Sequence, residues 1–486
     1  MKFLNSLWAI AERSMDRLYW LLLVSLPLSV KVYFQPIDLE VIFPAEPLLG
    51  VLLLLFVAKV IKGGYSPLGW RSFALHPVSF AVLGFLLVSF ISAVFSTMPM
   101  VSVKAVLVRA SYVLLFYVVL GVGAFGGAAR IGQDLLTYGK VFLPVVLFTW
   151  MKQAQLGFDR RGAGFVSFPF YSDHTIYAAA LVFVLFVFAL RAASVQFQWA
   201  EVKRHWLPFV ATCVLIVALC LSYCRAAWVS VVVALLFLAL LNLRVRFSQL
   251  MVALALGCAV LVLARQPLTT AMHANTVDST ADNVGVVESL LSLTNISHDA
   301  SNQERINRWS CAYRMFQQHP WTGHGPGTFQ FGYLALQRPE EMTYLSMNGP
   351  INPVMVTRAW SMSEGLFVRS NPQIFYLSGG TAHSEYLLAL SEMGLGGLVA
   401  FLMLALTSLA TGMRLYACSS GMDRYVVLGS LLALVAYFTH AFFNNFLDDC
   451  KVAFLFLASM ALLVRMDLER RTSDDQKPVV NSPAER

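Results

Sequence analysis

Ser301-Asn-Gln-Glu-Arg-Ile-Asn-Arg-Trp309, His319-Pro-Trp-Thr-Gly-His-Gly-Pro-Gly327 and Gly379-Gly-Thr-Ala-His-Ser-Glu-Tyr386 mark the polar stretch that runs from Arg265 to Ser384. The sequence on either side of it reads as apolar runs of membrane-helix length. This stretch does not. It holds seven arginines and no lysine. A segment whose cations are all guanidinium suits planar, bidentate recognition of anions. The same composition also serves as a plain charged outer surface, so the residues around it must decide.

Those surroundings are membrane-like. The chain of 486 residues is 58% hydrophobic and 13% charged, with a mean hydropathy of +0.67. A soluble chain carries roughly a quarter charged residues. The net charge of +8 is dispersed among short loops and is no nucleic-acid signature. The cysteines lie mostly in apolar stretches, with neither a disulfide framework nor zinc spacing. The charged, amphipathic start, Met1 to Arg17, lacks a small-residue cleavage site and reads as retained.

A spanning helix needs about 20 mostly apolar residues. Runs of that kind lie at 18–35, 46–61, 75–97, 101–123, 131–151, 173–191, 205–223, 226–242, 248–264, 385–411, 424–445 and 449–465. The expected fold is therefore all-α and polytopic, with about 12 transmembrane helices. Lys and Arg alternate between loops: Lys59, Lys62 and Arg71, then Arg130, then Arg191, Lys203 and Arg204, then Arg244 and Arg246. That alternation puts both termini in the cytoplasm and the polar stretch outside. The expected division is 1–264 (helices 1–9), 265–384 (outer loop), 385–465 (helices 10–12) and 466–486 (a disordered cytoplasmic tail). The two halves show no repeat, which weighs against a two-half transporter.

Within the loop, Ser301 followed by Glu304 reads as a capping box opening an amphipathic helix near 302–318. Arg305 and Arg308 project from one face of it. Other candidates gather on the same outer side: Arg160 and Arg161, His174 and Tyr177, Arg225 in a short interhelical turn, and His383 just before a membrane helix. An isolated Arg225 is equally a snorkelling side chain. Beside Arg161, Arg308 and His383 it reads as part of a site. Lys104 and Arg109 either add to that field or pair structurally, and Lys140 with Asp134 reads as a structural pair. His383 has the ordinary pKa of a general base, near 6.5, and is equally a surface or capping histidine. Glu385 stands next to it as a carboxylate able to orient the ring. The histidines have no metal spacing, and the glycine-rich turn at Gly323 lacks the Lys-Ser/Thr ending of a nucleotide loop.

In order along the chain, Arg161-Gly-Ala-Gly-Phe, Ser222-x-x-Arg225-x-x-Trp228, Arg308-Trp-x-x-Ala-x-x-Met-Phe-x-x-x-Pro320-x-x-Gly323-x-Gly-x-Gly327 and His383-Ser-Glu-Tyr-Leu-x-x-x-x-Glu392-x-Gly394-x-x-Gly397 resemble the O-antigen ligase family, which includes O-antigen polymerases. The resemblance covers about residues 155–450. It implies a membrane glycosyltransferase of the GT-C-like type in the bacterial inner membrane, with its large loop and active site in the periplasm. It implies an inverting transfer without metal or other cofactor. The donor would be a glycan on undecaprenyl pyrophosphate, and the acceptor a lipid A-core sugar hydroxyl. The alternative is an O-antigen or exopolysaccharide polymerase that takes a second lipid-linked glycan as acceptor. A 12-helix transporter is a more distant reading. By resemblance, Arg225 and Arg308 hold the donor pyrophosphate and His383 activates the acceptor. Arg160, Arg161, His174, Tyr177, Arg305 and Glu385 complete the expected substrate contacts. Membrane lipids are expected partners, and nucleic acid is not.

Overall fold

The computed structural model describes residues 2–34, 39–61, 70–158, 163–195, 199–277, 286–338, 341, 360–361 and 380–475. Helices form along the apolar runs because backbone polar groups in hydrocarbon must be satisfied within the segment. In chain order they are α1 (Lys2–Leu28), α2 (Ala45–Ile61), α3 (Pro77–Val94), α4 (Pro99–Tyr112, continued by a π-helical turn Val113–Val119), α5 (Ala128–Gln155), α6 (His174–Ala193), α7 (Trp206–Leu221), α8 (Arg225–Asn242) and α9 (Phe247–Leu263). The polar stretch contributes α10 (Arg265–Ala274) and α11 (Ala300–Gln318). Then come α12 (Glu385–Cys418), α13 (Gly421–His440) and α14 (Cys450–Asp475). Among the described residues seven helices, α3, α4 with its extension, α5, α6, α8, α12 and α13, are long and apolar enough to cross a membrane. The protein is a mostly helical, polytopic membrane protein.

Two expectations need correction. The run 18–35 is not one helix. α1 ends at Leu28, one residue past Pro27, and Val30–Phe34 leaves it as β1, antiparallel to β2 (Leu39–Phe43) with Val32 opposite Val41. The segment Val-Lys-Val-Tyr-Phe is β-branched and aromatic, and hydropathy alone does not separate such a strand from a helix. Trp360–Ser361, from the polar stretch, adds parallel to β1 as β3, so a three-stranded sheet accompanies the helices. Second, 466–475 is not a disordered tail but the last turns of α14. Buried Asp467 holds it there, 2.7 Å from Arg471, 2.8 Å from Arg414 and 3.2 Å from His76. Residues 476–486 lie outside the described residues.

α14 is the axis of the bundle. Every residue from Val452 to Val464 is buried. Phe454 meets Phe116 edge-on at 5.3 Å and stacks on Tyr138 at 5.6 Å between ring centroids.

α12 is broken at Gly394, whose φ of 65° leaves the helical region. The glycine-rich turn after α11 fills the break. Leu395 N–H donates to the Pro320 carbonyl at 2.8 Å, Gly325 N–H to the Glu392 carbonyl at 2.8 Å, and His324 N–H to the Ser391 carbonyl at 3.1 Å. The Glu392 carboxylate accepts from Phe329 N–H at 3.1 Å. A Cβ at Gly394 would lie 2.6 Å from the Pro320 oxygen, and one at Gly323, with φ 67°, would lie 2.2 Å from the Glu392 oxygen. Both positions need glycine, because each combines a left-handed backbone with direct backbone contact. The polar stretch is thereby keyed into a membrane helix.

Candidate active site

The site is organised by α11. Its first turn is capped by Asp299, whose carboxylate accepts from Asn302 N–H at 3.0 Å. The expected Ser301–Glu304 box is not formed, because both side chains serve arginines one turn on. Ser301 Oγ accepts from Arg305 at 3.0 Å and Glu304 from Arg308 Nε at 2.7 Å. Asp299 has a second task. Arg225, the first residue of α8 and only 6% exposed, grips it with both arms, at 3.0 Å to Oδ2 and 3.2 Å to Oδ1. Arg225 also donates to Ser292 Oγ at 2.6 Å and Asn302 Oδ1 at 3.1 Å. Its planar fork therefore ties the loop helix to the membrane helix, a geometry lysine does not match.

His383 stands at the junction of loop and membrane, two residues ahead of α12. Its φ of 49° puts a non-glycine residue in the left-handed region, the kind of backbone strain that gathers at functional sites. Trp309 Nε1 of α11 donates to its carbonyl at 3.2 Å. Its Nδ1 is 3.3 Å from Asn444 Oδ1, in the turn after α13. No partner of its Nε2 occurs among the described residues. Burial first, then the charges of Arg308 and Arg305, pull its pKa down to about 3, against the opposing pull of Asn444 and Asp173. The ring is neutral at neutral pH.

The cations beside it differ. Arg308 pairs with Glu304, donates to the Thr381 carbonyl at 3.0 Å and lies over the Tyr333 ring at 5.1 Å. Arg305 has no ion pair among the described residues, and its Nε is buried without a hydrogen-bond partner. Burial and then the charge of Arg225 lower its pKa, with Cys224, Asp299 and Asp173 opposing. Asp173, the N-cap of α6, completes the ring of charge. Burial pushes its carboxyl up, but His174, Thr175 N–H and His383 outweigh that and hold it below the usual range. His174 Nδ1 is 3.6 Å from it.

The structure thus gathers Arg305, Arg308, His174, Asp173 and His383, with Arg225 just behind Arg305. Two expected residues fall elsewhere. Tyr177 is buried in the core, its hydroxyl 2.8 Å from Thr149 Oγ1. Glu385 does not orient His383. It accepts from Phe446 N–H at 2.7 Å, Leu447 N–H at 3.0 Å and Tyr437 at 3.2 Å, and so braces the turn that carries Asn444. Arg160 and Arg161 lie outside the described residues. Arg109 pairs structurally, with Ser89 at 3.1 Å, Asp448 at 3.8 Å and the Phe85 ring at 5.3 Å. Asp134 bonds Arg130 at 3.0 Å and Tyr19 at 2.8 Å rather than Lys140, which points outward. Asp299, Asn444 and Asp173 had no role assigned from sequence. The only signal was the polarity of Asp173 and Asn444 at the ends of apolar runs; Asp299, inside the polar stretch, gave none.

The family model for O-antigen ligase matches residues 209–352, a span that holds Arg225, Arg305, Arg308 and the glycine-rich turn. No curated protein matches the chain. The motif resemblance and the matched model agree: over residues 209–352 the chain is similar to the O-antigen ligase family.

Proposed function

We propose that this protein moves a glycan from undecaprenyl pyrophosphate to a lipid A-core sugar hydroxyl at the periplasmic face of the inner membrane, by inversion and without a metal. The reading takes the chain to span the bilayer twelve times, with both termini in the cytoplasm and residues 265–384 outside. One observation carries it: a neutral His383, its Nε2 without a partner among the described residues, beside two guanidiniums, one of which has no ion pair among those residues.

The chemistry follows from those groups. His383 Nε2 takes the proton of the acceptor hydroxyl as its oxygen attacks the anomeric carbon. Attack comes from the face opposite the pyrophosphate. As the new C–O bond forms, the bond from carbon to the pyrophosphate oxygen breaks, and the electron pair leaves on undecaprenyl pyrophosphate. Arg305 and Arg308 hold the growing negative charge in a partly buried setting, where charge-assisted forks are strongest. Arg225 acts at one remove in this scheme. Its donors are occupied by Asp299, Ser292 and Asn302, and it places α11 rather than binding phosphate.

The test uses purified protein in detergent with lipid-linked glycan and either core acceptor or a second lipid-linked glycan. Transfer to core marks a ligase, and chain elongation on lipid alone would assign polymerase instead. Activity without a sealed bilayer rules out transport as the primary task. His383→Ala is expected to lower kcat by about 10²–10⁴-fold, the usual share of a general base. Unchanged turnover in that variant would remove the base. Since the free ring takes its proton only well below pH 6.5, the acid limb of kcat/KM is expected below that value.

A further inference from the structure

His383 does not end its hydrogen bonding at Asn444. The other end of that amide, Nδ2, is 3.4 Å from His440 Nε2, at the last turn of α13. The same Nε2 is 3.6 Å from the Cys224 thiol, at the N-cap of α8. His440, Asn444 and Cys224 are all buried. Four side chains thus form one line from the loop junction into the bundle.

We propose that Asn444, oriented by His440, is the positioning residue that fixes the tautomer of His383, keeping the proton on Nδ1 and the Nε2 lone pair free for the acceptor hydroxyl. This inference rests on His383 being the base of the preceding reading. An amide oxygen only accepts, so the His383 nitrogen facing it must carry the proton. In a neutral ring the other nitrogen is then the base. The orientation of the amide is read from the far end of the line. Cys224 is kept a thiol by burial, which raises its pKa to about 11. In the tautomer we assign, its S–H donates to His440 Nε2 across 3.6 Å, and that nitrogen accepts the Asn444 Nδ2–H as well. Turning the amide round would set its oxygen against the lone pair of His440 Nε2 and place the proton of His383 on Nε2, leaving no base.

The choice of an amide also has a reason. His383 faces Arg305 and Arg308 on α11, with Glu304 paired to Arg308, and Asp173 and His174 at the start of α6. His440 faces Arg305, His174 and Asp173. Arg225, matched by Asp299, stands behind Arg305. The pyrophosphate of the donor adds negative charge to this field. A carboxylate at position 444, 3.3 Å from Nδ1, would add more and favour the imidazolium, which cannot accept a proton. The neutral amide orients the ring without charging it.

The experiment is the pH profile of kcat/KM for the full-length protein with lipid-linked donor. Asn444→Asp is expected to move the acid limb up by about 1–3 pH units, with activity recovered above it. A profile superimposable on wild type, with His383→Ala inactive, overturns the role of Asn444 and leaves the base in place. If His383→Ala is active, the base reading itself fails. His440→Ala serves where Asn444→Asp does not fold. It is expected to lower kcat at least tenfold with donor KM and the acid limb unchanged, because the amide loses the partner that orients it. Unchanged kcat in His440→Ala likewise overturns the proposal.

Discussion

Arg305 and Arg308 lie one turn apart on α11 and have opposite surroundings. Arg308 is matched by Glu304, whereas Arg305 has no ion pair among the described residues. An unmatched, half-buried cation is costly, and an incoming pyrophosphate supplies what it lacks. Arg305→Ala is therefore expected to lower kcat/KM for the lipid-linked donor by on the order of 10²-fold, the scale of losing one charge-stabilising donor. Thermal stability should hold or rise. Arg305→Lys should recover little, since the fork is lost. A drop in melting temperature with unaltered turnover would make Arg305 structural. At this scale the sequence pointed to several of the side chains proposed here to carry chemistry, since an arginine or histidine at an apolar boundary stands out. It did not disclose their partners. His383 meets Asn444 across 61 positions and Arg225 meets Asp299 across 74, and no local pattern encodes contacts of that separation.

Among elements, the decisive one is α11, placed by three fastenings: the Arg225–Asp299 pair, the Trp309–His383 bond and the turn locked into the Gly394 break. Asp299→Ala removes a helix cap and strands a buried guanidinium. Breaking a buried pair in this way costs about 3–5 kcal/mol. The loop helix is expected to come loose before the bundle does. Hydrogen exchange should rise across 286–318 while α6 and α13 stay protected, and transfer should fall. Equal protection in both proteins would show the clamp to be dispensable. α11 itself was legible from its spacing. Its cap was not, because Ser301-x-x-Glu304 satisfies the capping pattern while Asp299, two residues earlier, does the work. The strand at Val30–Phe34 was hidden for a related reason, since a half-buried strand and a helix end share the same hydropathy.

For the whole molecule, apolar runs located the seven helices that are long and apolar enough to cross a membrane among the described residues, and the alternation of basic loops predicts their orientation. That orientation is open to direct measurement. His298→Cys, exposed before α11, should react with an impermeant maleimide from the periplasmic side, and Ser473→Cys, exposed late in α14, only after the inner membrane is permeabilised. The reverse pattern would invert the topology and with it the location of the chemistry. What hydropathy does not contain is how the loop meets the bundle, because that is written in glycine backbones and single polar pairs. The Gly394 break has a consequence of its own here. With Pro320 and Gly325 bonded to either side of it, α11 and the first half of α12 are one rigid piece, and Arg308 and His383 sit on that piece. Their spacing is then a fixed gauge. In the proposed transfer, donor and acceptor conform to it, so a glycan qualifies by the reach from its pyrophosphate oxygen to the attacking hydroxyl rather than by the identity of the sugars beyond.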